Sequence, residues 1–345
     1  MSDIWLSIVV PVFNTPKDDM DRLFSSLTNQ TMQGYKVIII NDGSDEKCGK
    51  YLENLEKQYD YIELYTISNS GVSNARNYGI EKVNTPYIAF ADADDEYSIT
   101  FVEEAAEYVK KYKPDIIYGV MKLQPERPWN QSRSYPELFE SEDGLLEIKK
   151  SLLAIKPREL EYQIPGTPCA RLYRTDIASQ NRFRSEIKFY EDQIFNRECL
   201  KQAKKVLVVP NCWYTYYQND YSAMHLSRRE NFYRKTRTYW DAFFELNQQE
   251  PKDILVCLRI EQLSFLHKVL DNDYVQKKII PRRKGEFDEA VSHPMIQDSL
   301  QNLKVFSDPM KIMDRINILL LKNHMYKTMY LKKRILNWIG FEKMY

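Results

Sequence analysis

Four short runs of apolar residues alternate with helical patterns over the first 100 residues of the chain. Their length and β-branched content predict strands buried on both faces, and they cover residues 6–13, 35–40, 61–67 and 87–91. Apolar residues at helical spacing lie between these runs and predict helices over residues 20–28, 46–59 and 71–81. Such alternation predicts an α/β fold with a mostly parallel sheet and flanking helices.

The pattern becomes less regular beyond residue 100 and is purely helical from about residue 227 onward. We therefore expect two domains, an α/β domain over residues 1–226 and a helical region over residues 227–345. In the intermediate stretch the spacing predicts helices over 100–113, 145–153 and 192–204, and strands over 115–121 and 206–209.

Composition indicates a globular protein without a charge preference for nucleic acid. Hydrophobic residues make up 43% of the chain, charged residues 28%, and the formal net charge is zero, so no overall field favours nucleic acid as a partner. This balance is uneven, since residues 310–345 contain eight Lys or Arg and only two acidic residues.

Targeting features point to the cytoplasm. The five cysteines show no CxxC spacing, which is typical of free thiols in a reducing compartment. The N-terminus lacks the basic start and apolar run of a signal peptide. No apolar stretch reaches the ~18 residues that a membrane span requires.

Acidic and amide side chains follow three of the four predicted strands, at Asn14, at residues 41–42 and at residues 92–95. The carboxyl ends of parallel strands meet at one edge, where α/β sheets bind ligands. Carboxylates as close as Asp92, Asp94 and Asp95 raise each other's pKa unless a cation neutralises them, and oxygen ligands favour Mg²⁺ or Mn²⁺. An acidic turn that caps the next helix is the alternative interpretation.

Four motifs in this order resemble those of the inverting family-2 glycosyltransferases of the GT-A fold. They are VVPVFN at 9–14, INDGS at 40–44, NSGVSNARNYG at 69–79 and FADADD at 90–95. A weaker match continues to about residue 225, through ARLYR at 170–174 and FYED at 189–192. The resemblance implies a nucleotide-sugar-dependent catalytic domain over residues 1–226.

The resemblance also implies a set of residues that bind the nucleotide sugar. Pro11, Val12 and Asn14 would line the base and ribose pocket, and Asp42 would accept a hydrogen bond from a uracil N–H. Arg76 would face the diphosphate or the uracil. The remaining members of the set are Asp92, on the ribose hydroxyls, and Ala93 and Asp95. For Asp42 an Asx-type turn before Gly43 is the structural alternative, and for Arg76 a surface helix charge.

Metal-binding and catalytic residues follow from the same resemblance. Asp94 would bind Mn²⁺ or Mg²⁺, Asp95 would support the metal or the donor sugar, and His225 would complete the metal site. Asp192 matches the base that deprotonates the acceptor hydroxyl, and Glu191 beside it would orient the acceptor or a sugar hydroxyl. Two acids in the first turn of a helix also favour its dipole without any catalytic role.

The implied activity is inverting transfer of a hexosyl unit from a UDP-sugar to a hydroxyl of a glycan acceptor, a surface polysaccharide or a glycoprotein. A nucleotidyltransferase is one alternative, although the first strand lacks the glycine-rich loop of that class. A non-catalytic scaffold acting through the helical region is another.

The helical region and an aromatic cluster leave further alternatives open. The basic amphipathic pattern of the C-terminal helices suits an anionic membrane surface, the catalytic domain or another protomer of a homo-oligomer. The aromatic cluster at residues 213–217 suits either an acceptor platform or core packing.

Overall fold

The computed structural model describes residues 4–124, 135–152, 166–218, 231–275, 278, 280–281, 285–304, 308 and 312–338. These residues form two compact units. The first contains those up to residue 186 and residues 190–218, and the second contains residues 187–189 and those from 231 onward. The predicted domain boundary after residue 226 lies outside the described residues.

One nine-stranded sheet forms the centre of the first unit. Its order is β3-β2-β1-β4-β8-β6-β9-β5, with β7 also paired to β9, and most of the paired positions lie in parallel pairs. The predicted α/β fold is confirmed. The strands are β1 (Leu6–Val12), β2 (Tyr35–Asp42), β3 (Ile62–Ile67), β4 (Tyr87–Phe90), β5 (Glu96–Tyr97), β6 (Ile116–Gln124), β7 (Glu137–Phe139), β8 (Arg171–Arg174) and β9 (Val206–Tyr217).

Helices cover both faces of this sheet and create two cores. One face packs against α1 (Lys17–Thr28), α2 (Glu46–Gln58) and α4 (Phe101–Tyr112). The other face packs against α3 (Val72–Lys82), α5 (Glu142–Ser151), α6 (Thr175–Gln180) and α7 (Glu191–Gln202).

Strand β1 explains why the sequence shows a continuous apolar run. All seven of its residues are buried, and alternate side chains enter opposite cores, with Ile8 and Val10 in one and Val9 in the other. A strand enclosed on both faces needs no polar side, so the alternation typical of half-exposed strands is absent.

Gly79 allows α3 to approach β1 closely. A Cβ atom at this position would lie 2.4 Å from the Val9 Cγ1 atom, far inside van der Waals contact. Gly71, at the start of the same helix, instead adopts a φ of +89° and has open space around it, so its role is conformational. Of the two glycines, Gly79 is therefore the one that permits close packing.

Helices make up the second unit. They are α8 (Phe232–Asn247), α9 (Lys252–Val269) with a π-helical extension (Leu270–Val275), α10 (Glu286–Val291), α11 (Pro294–Asn302), α12 (Ile312–Lys322) and α13 (Tyr326–Trp338). Trp240 and Phe265 are buried with their rings 5.7 Å apart. Among all described residues of the chain, no helix combines the length and apolarity needed to cross a membrane.

Candidate active site

The candidate site lies where strands β1, β2 and β4 end. β1 pairs in parallel with β2 on one side and with β4 on the other, so their carboxyl ends share one edge of the sheet. Asn14, Asp42 and Asp92 therefore occur at neighbouring strand ends, as the sequence predicted.

Arg76 links two parts of the chain that the sequence had implicated separately. Its guanidinium donates to Asp92 Oδ1 at 2.7 Å and to Glu191 Oε1 at 3.2 Å, and its side chain is only 6% exposed. Burial opposes its charge, but the two carboxylates raise the pKa of Arg76 above its ordinary value. The first turn of α7 is thereby held next to the loop that follows β4.

Asp92 is fixed through three different groups. Besides the Arg76 ion pair, its Oδ2 atom lies 3.7 Å from the thiol sulfur of Cys169, and its backbone N–H donates to the Tyr214 hydroxyl at 2.9 Å. Burial, followed by the charge of Asp92, raises the pKa of the Cys169 thiol, which stays neutral. Tyr214 and Trp213 are both buried, so this half of the aromatic cluster forms core.

Asp95 is a fully buried carboxyl with one unsatisfied oxygen. Its Oδ1 atom accepts the backbone N–H of Tyr217 at 2.9 Å, whereas Oδ2 has no hydrogen-bond partner. Burial, with the charges of Asp92 and Asp94, raises the pKa of Asp95 to about 9. Near neutral pH Asp95 is therefore protonated unless a cation lies close to it.

These carboxylates suit a divalent cation through their oxygen chemistry and the orphaned buried Oδ2 of Asp95. No three His, Cys, Asp or Glu side chains converge on a metal position within the part of the chain that the structure describes. Protein sites for Mg²⁺ commonly consist of one or two carboxylates completed by substrate phosphates and waters. His225 lies outside the described residues.

Glu191 and Asp192 begin helix α7, after Tyr190 in a left-handed conformation at φ 69°. Asp192 Oδ1 accepts the backbone N–H of Gln193 at 2.8 Å. Burial and the neighbouring Glu191 charge raise the pKa of Asp192 to about 7, while Arg76 and Arg171 oppose the rise. Burial raises the pKa of Glu191 as well. A carboxyl poised near neutral pH is suited to accept a proton.

Asp42 organises the loop that precedes α3. Its two oxygens accept the backbone N–H groups of Ser70 and Gly71, at 2.7 and 2.8 Å. The Asx-type turn suggested for Asp42 is instead made by Asn41, whose Oδ1 accepts the Ser44 N–H at 2.9 Å. An ionised carboxylate oxygen accepts more than one hydrogen bond, so Asp42 retains capacity for a ligand.

Asn14 joins the loops after β1 and β2. It lies in the left-handed region at φ 47°, its Oδ1 accepts the Asp45 N–H at 2.8 Å, and its own N–H donates to the Ser44 hydroxyl at 3.1 Å. Pro11 and Val12 are buried within β1, and Ala93 is buried between the acidic residues. These three residues can bind a ligand through their backbone groups.

Two arginines near the site were not found from the sequence. Arg22 on α1 donates to the backbone carbonyl of Asp94 and lies 3.8 Å from the centroid of the Tyr217 ring. Arg171 is 2% exposed, and neither of its terminal nitrogens has a hydrogen-bond partner. Arg22 lies in an ordinary amphipathic helix, and Arg171 lies in the ARLYR match without an assigned role, since only the fold brings either residue to the acidic residues.

Comparisons with known proteins agree with this geometry. A family model described as glycosyl transferase family 2 matches residues 7–180. The uncharacterized glycosyltransferase EpsJ of Bacillus subtilis is 28% identical over 221 residues, covering 63% of this chain and 62% of EpsJ. TarP of Staphylococcus aureus, a poly(ribitol-phosphate) beta-N-acetylglucosaminyltransferase, is 26% identical over 229 residues, covering 64% of this chain and 65% of TarP. The chain thus spans slightly less than two thirds of either relative.

Solved structures share the fold over nearly the whole chain. The S. aureus TarS 1-349 structure in complex with UDP-GlcNAc has a TM-score of 0.68 and 19% identity, covering 97% of this chain and 92% of that one. The family model spans half of the chain and contains the first four motifs. The chain therefore belongs to glycosyltransferase family 2.

Proposed function

We propose that this protein transfers a hexosyl unit from a UDP-sugar to a hydroxyl of a glycan acceptor with inversion at the anomeric carbon, assisted by Mn²⁺ or Mg²⁺. The acceptor glycan belongs to a surface polysaccharide or a glycoprotein, and the reaction takes place in the cytoplasm. Residues 1–226 form the catalytic domain, and the helical region from residue 227 onward acts as an accessory. Family membership favours this activity over a nucleotidyltransferase.

The observation that carries the proposal is the Arg76 bridge. Asp92 belongs to the loop after β4, which is proposed to bind the donor, and Glu191 belongs to the turn that contains the proposed base. A single buried guanidinium contacts both carboxylates within 3.2 Å. The residues proposed to bind the donor and the acceptor are thus linked by one side chain, which supports a direct transfer between two substrates.

Donor binding is assigned to the loops around the ends of β1, β2 and β4. Asp42 and the backbone of Pro11, Val12 and Asn14 would hold the base and ribose. The proposal assigns the ribose hydroxyls to Asp92, and the metal to Asp94 with Asp95 and His225. A divalent cation held by these residues would supply positive charge to the departing diphosphate.

Asp192 is assigned the proton transfer. As the acceptor oxygen forms its bond to the anomeric carbon, the bond to the diphosphate breaks on the opposite face, which inverts the configuration. The acceptor proton passes to Asp192, whose pKa of about 7 lets it be ionised before the reaction and protonated afterwards. Glu191 beside it orients the acceptor or a sugar hydroxyl.

Two comparisons suggest which donor to try first. TarS was crystallised with UDP-GlcNAc, and the name of TarP specifies transfer of N-acetylglucosamine to poly(ribitol-phosphate). UDP-GlcNAc is therefore the first member of a panel that also contains UDP-glucose, UDP-galactose and UDP-GalNAc. Polyol phosphate polymers are the first acceptors to add.

The test is release of UDP from this panel with Mn²⁺ or Mg²⁺, for the wild type, for Asp94→Asn and for the matched control Asp60→Asn. Asp60 is exposed and remote in sequence from the proposed site motifs. We expect metal-dependent UDP release with one preferred donor, a loss of about 100-fold or more in Asp94→Asn, and no change in Asp60→Asn.

Two results would contradict the proposal. One is full UDP release by Asp94→Asn, which would remove Asp94 from the metal site. The other is failure of the folded wild-type protein to bind or turn over any UDP-sugar, which would favour the non-catalytic scaffold instead.

A further inference from the structure

Helices α12 and α13 pack against each other and each buries one face. On α12 the buried apolar side chains are Ile318 and Leu321, and on α13 they are Tyr326, Met329 and Tyr330. Each of the two helices therefore buries only one of its faces within the second unit.

The opposite faces expose large apolar side chains. On α12, Ile312, Ile316 and Leu319 are 73%, 39% and 42% exposed, and their i, i+4, i+7 spacing places them in a single stripe. On α13, Leu331 and Ile335 are 45% and 59% exposed. Single exposed apolar residues are ordinary, but stripes on two adjacent helices indicate an interaction surface.

Basic side chains occur in the same segment as these apolar stripes. Residues 322–338 contain five Lys or Arg and no Asp or Glu, so this segment carries +5 in a chain whose net charge is zero. Lys327 and Arg334 are exposed, and their spacing from Leu331 puts all three on the same side of α13. We call this set the basic–apolar face, consisting of Ile312, Ile316, Leu319, Lys322, Lys327, Leu331, Arg334 and Ile335.

We propose that the basic–apolar face docks on the surface of a lipid bilayer that contains anionic headgroups. Its apolar stripes enter the boundary between headgroups and acyl chains, and its lysines and arginine bind lipid phosphates. Long cationic side chains beside apolar ones suit this boundary because their stems are apolar and their charged ends reach the headgroups.

The charge of the basic–apolar face favours a bilayer over a second copy of the chain as its binding partner. In a two-fold symmetric contact the same face meets itself, so Lys327 and Arg334 would approach their symmetry mates. Residues 322–338 supply no carboxylate to neutralise them. An anionic bilayer supplies the complementary charge that this segment lacks.

The test is flotation of the full-length protein with vesicles of phosphatidylcholine alone and of phosphatidylcholine mixed with phosphatidylglycerol. We expect binding to the mixed vesicles, little binding to the neutral ones, and loss of binding at high salt. The double variants Lys327→Glu/Arg334→Glu and Leu331→Ser/Ile335→Ser should each lower binding by about tenfold or more.

Matched controls lie on the first unit. Ile99→Ser removes a side chain that is 51% exposed, and Lys110→Glu/Lys111→Glu reverses two exposed charges on α4; both should bind vesicles like the wild type. All variants affect exposed positions, and unchanged UDP-sugar binding or melting temperature verifies that they fold.

Equal binding to neutral and anionic vesicles, or no binding to either, would overturn the proposal. It would also be overturned if the protein forms a dimer in solution that Leu331→Ser/Ile335→Ser dissociates, since the face would then be an interface between copies. None of these outcomes depends on whether the proposed transferase activity is correct.

Discussion

At the scale of single residues, Asp192 is the proposed base, and its ionisation sets the expected pH dependence. Burial and then Glu191 raise the pKa of Asp192 to about 7, so the carboxyl is largely protonated below that pH. A base must be ionised to act, and transfer should therefore rise with pH and level off above about 8.

The pH profile of transfer at low donor concentration measures this directly. A rising limb with an apparent pKa near 7 is the expected result, and the limb should disappear in Asp192→Asn, whose residual rate no longer depends on that group. A wild-type rate that stays constant from pH 5.5 to pH 8 would contradict the role given to Asp192.

At this scale the sequence predicted the elements beside the motif residues. Asp92 follows a predicted strand and Asp192 begins a predicted helix, and the structure contains both elements; the roles of the two residues stay predictions. Arg22 was not, because it lies on an amphipathic helix that looks like any surface helix, and its contact with the Asp94 carbonyl spans 72 positions. Arg171 shares a motif with Tyr173, but its burial depends on the packing of α7 and β6, which local pattern does not specify.

At the scale of elements, the packing of α3 on β1 positions Arg76. Gly79 lies one turn beyond Arg76, and a methyl group there would clash with Val9 at 2.4 Å. Gly→Ala in a helix ordinarily stabilises by ~0.5–1 kcal/mol, but overpacking reverses the sign. We expect Gly79→Ala to lower the free energy of unfolding by about 1–3 kcal/mol and to weaken donor binding through displacement of Arg76.

Gly49→Ala on α2 is the matched control, since its nearest neighbour would be the Asn41 side-chain nitrogen at 3.8 Å, an ordinary contact. This variant should be neutral or slightly more stable. Urea unfolding of both variants measures the difference. A stability of Gly79→Ala equal to that of Gly49→Ala would show that α3 can move away from β1 at no cost.

Elements were predicted well where burial imposed a long pattern and poorly where it did not. The seven residues of β1 and eight of β2 are all buried, which produces unmistakable apolar runs. Strands β5 and β7 contain only two and three residues and have no detectable period. β9 was predicted over 206–209 but extends to Tyr217, because it continues to pair with β6 beyond Pro210.

At the scale of the whole molecule, the chain combines the region that the family model matches with a helical unit whose C-terminal segment is basic. The family model ends at residue 180, whereas the fold similarity to TarS 1-349 covers 97% of the chain. The helical unit is therefore part of a fold that extends beyond the motif-bearing region. The order of the sheet was not predictable from pattern, because β8 enters between β4 and β6 through an antiparallel pairing that depends on distant residues.

The most direct test of the central claim compares sugar transfer and donor binding in the wild type and in Asp192→Asn. We predict that Asp192→Asn binds the UDP-sugar with unchanged affinity and loses transfer by about 100-fold or more. It should melt no lower than the wild type at pH 8, since the change removes a carboxylate whose ionisation burial disfavours. Transfer by Asp192→Asn at the wild-type rate would contradict the account, because the acceptor proton would then leave by another route.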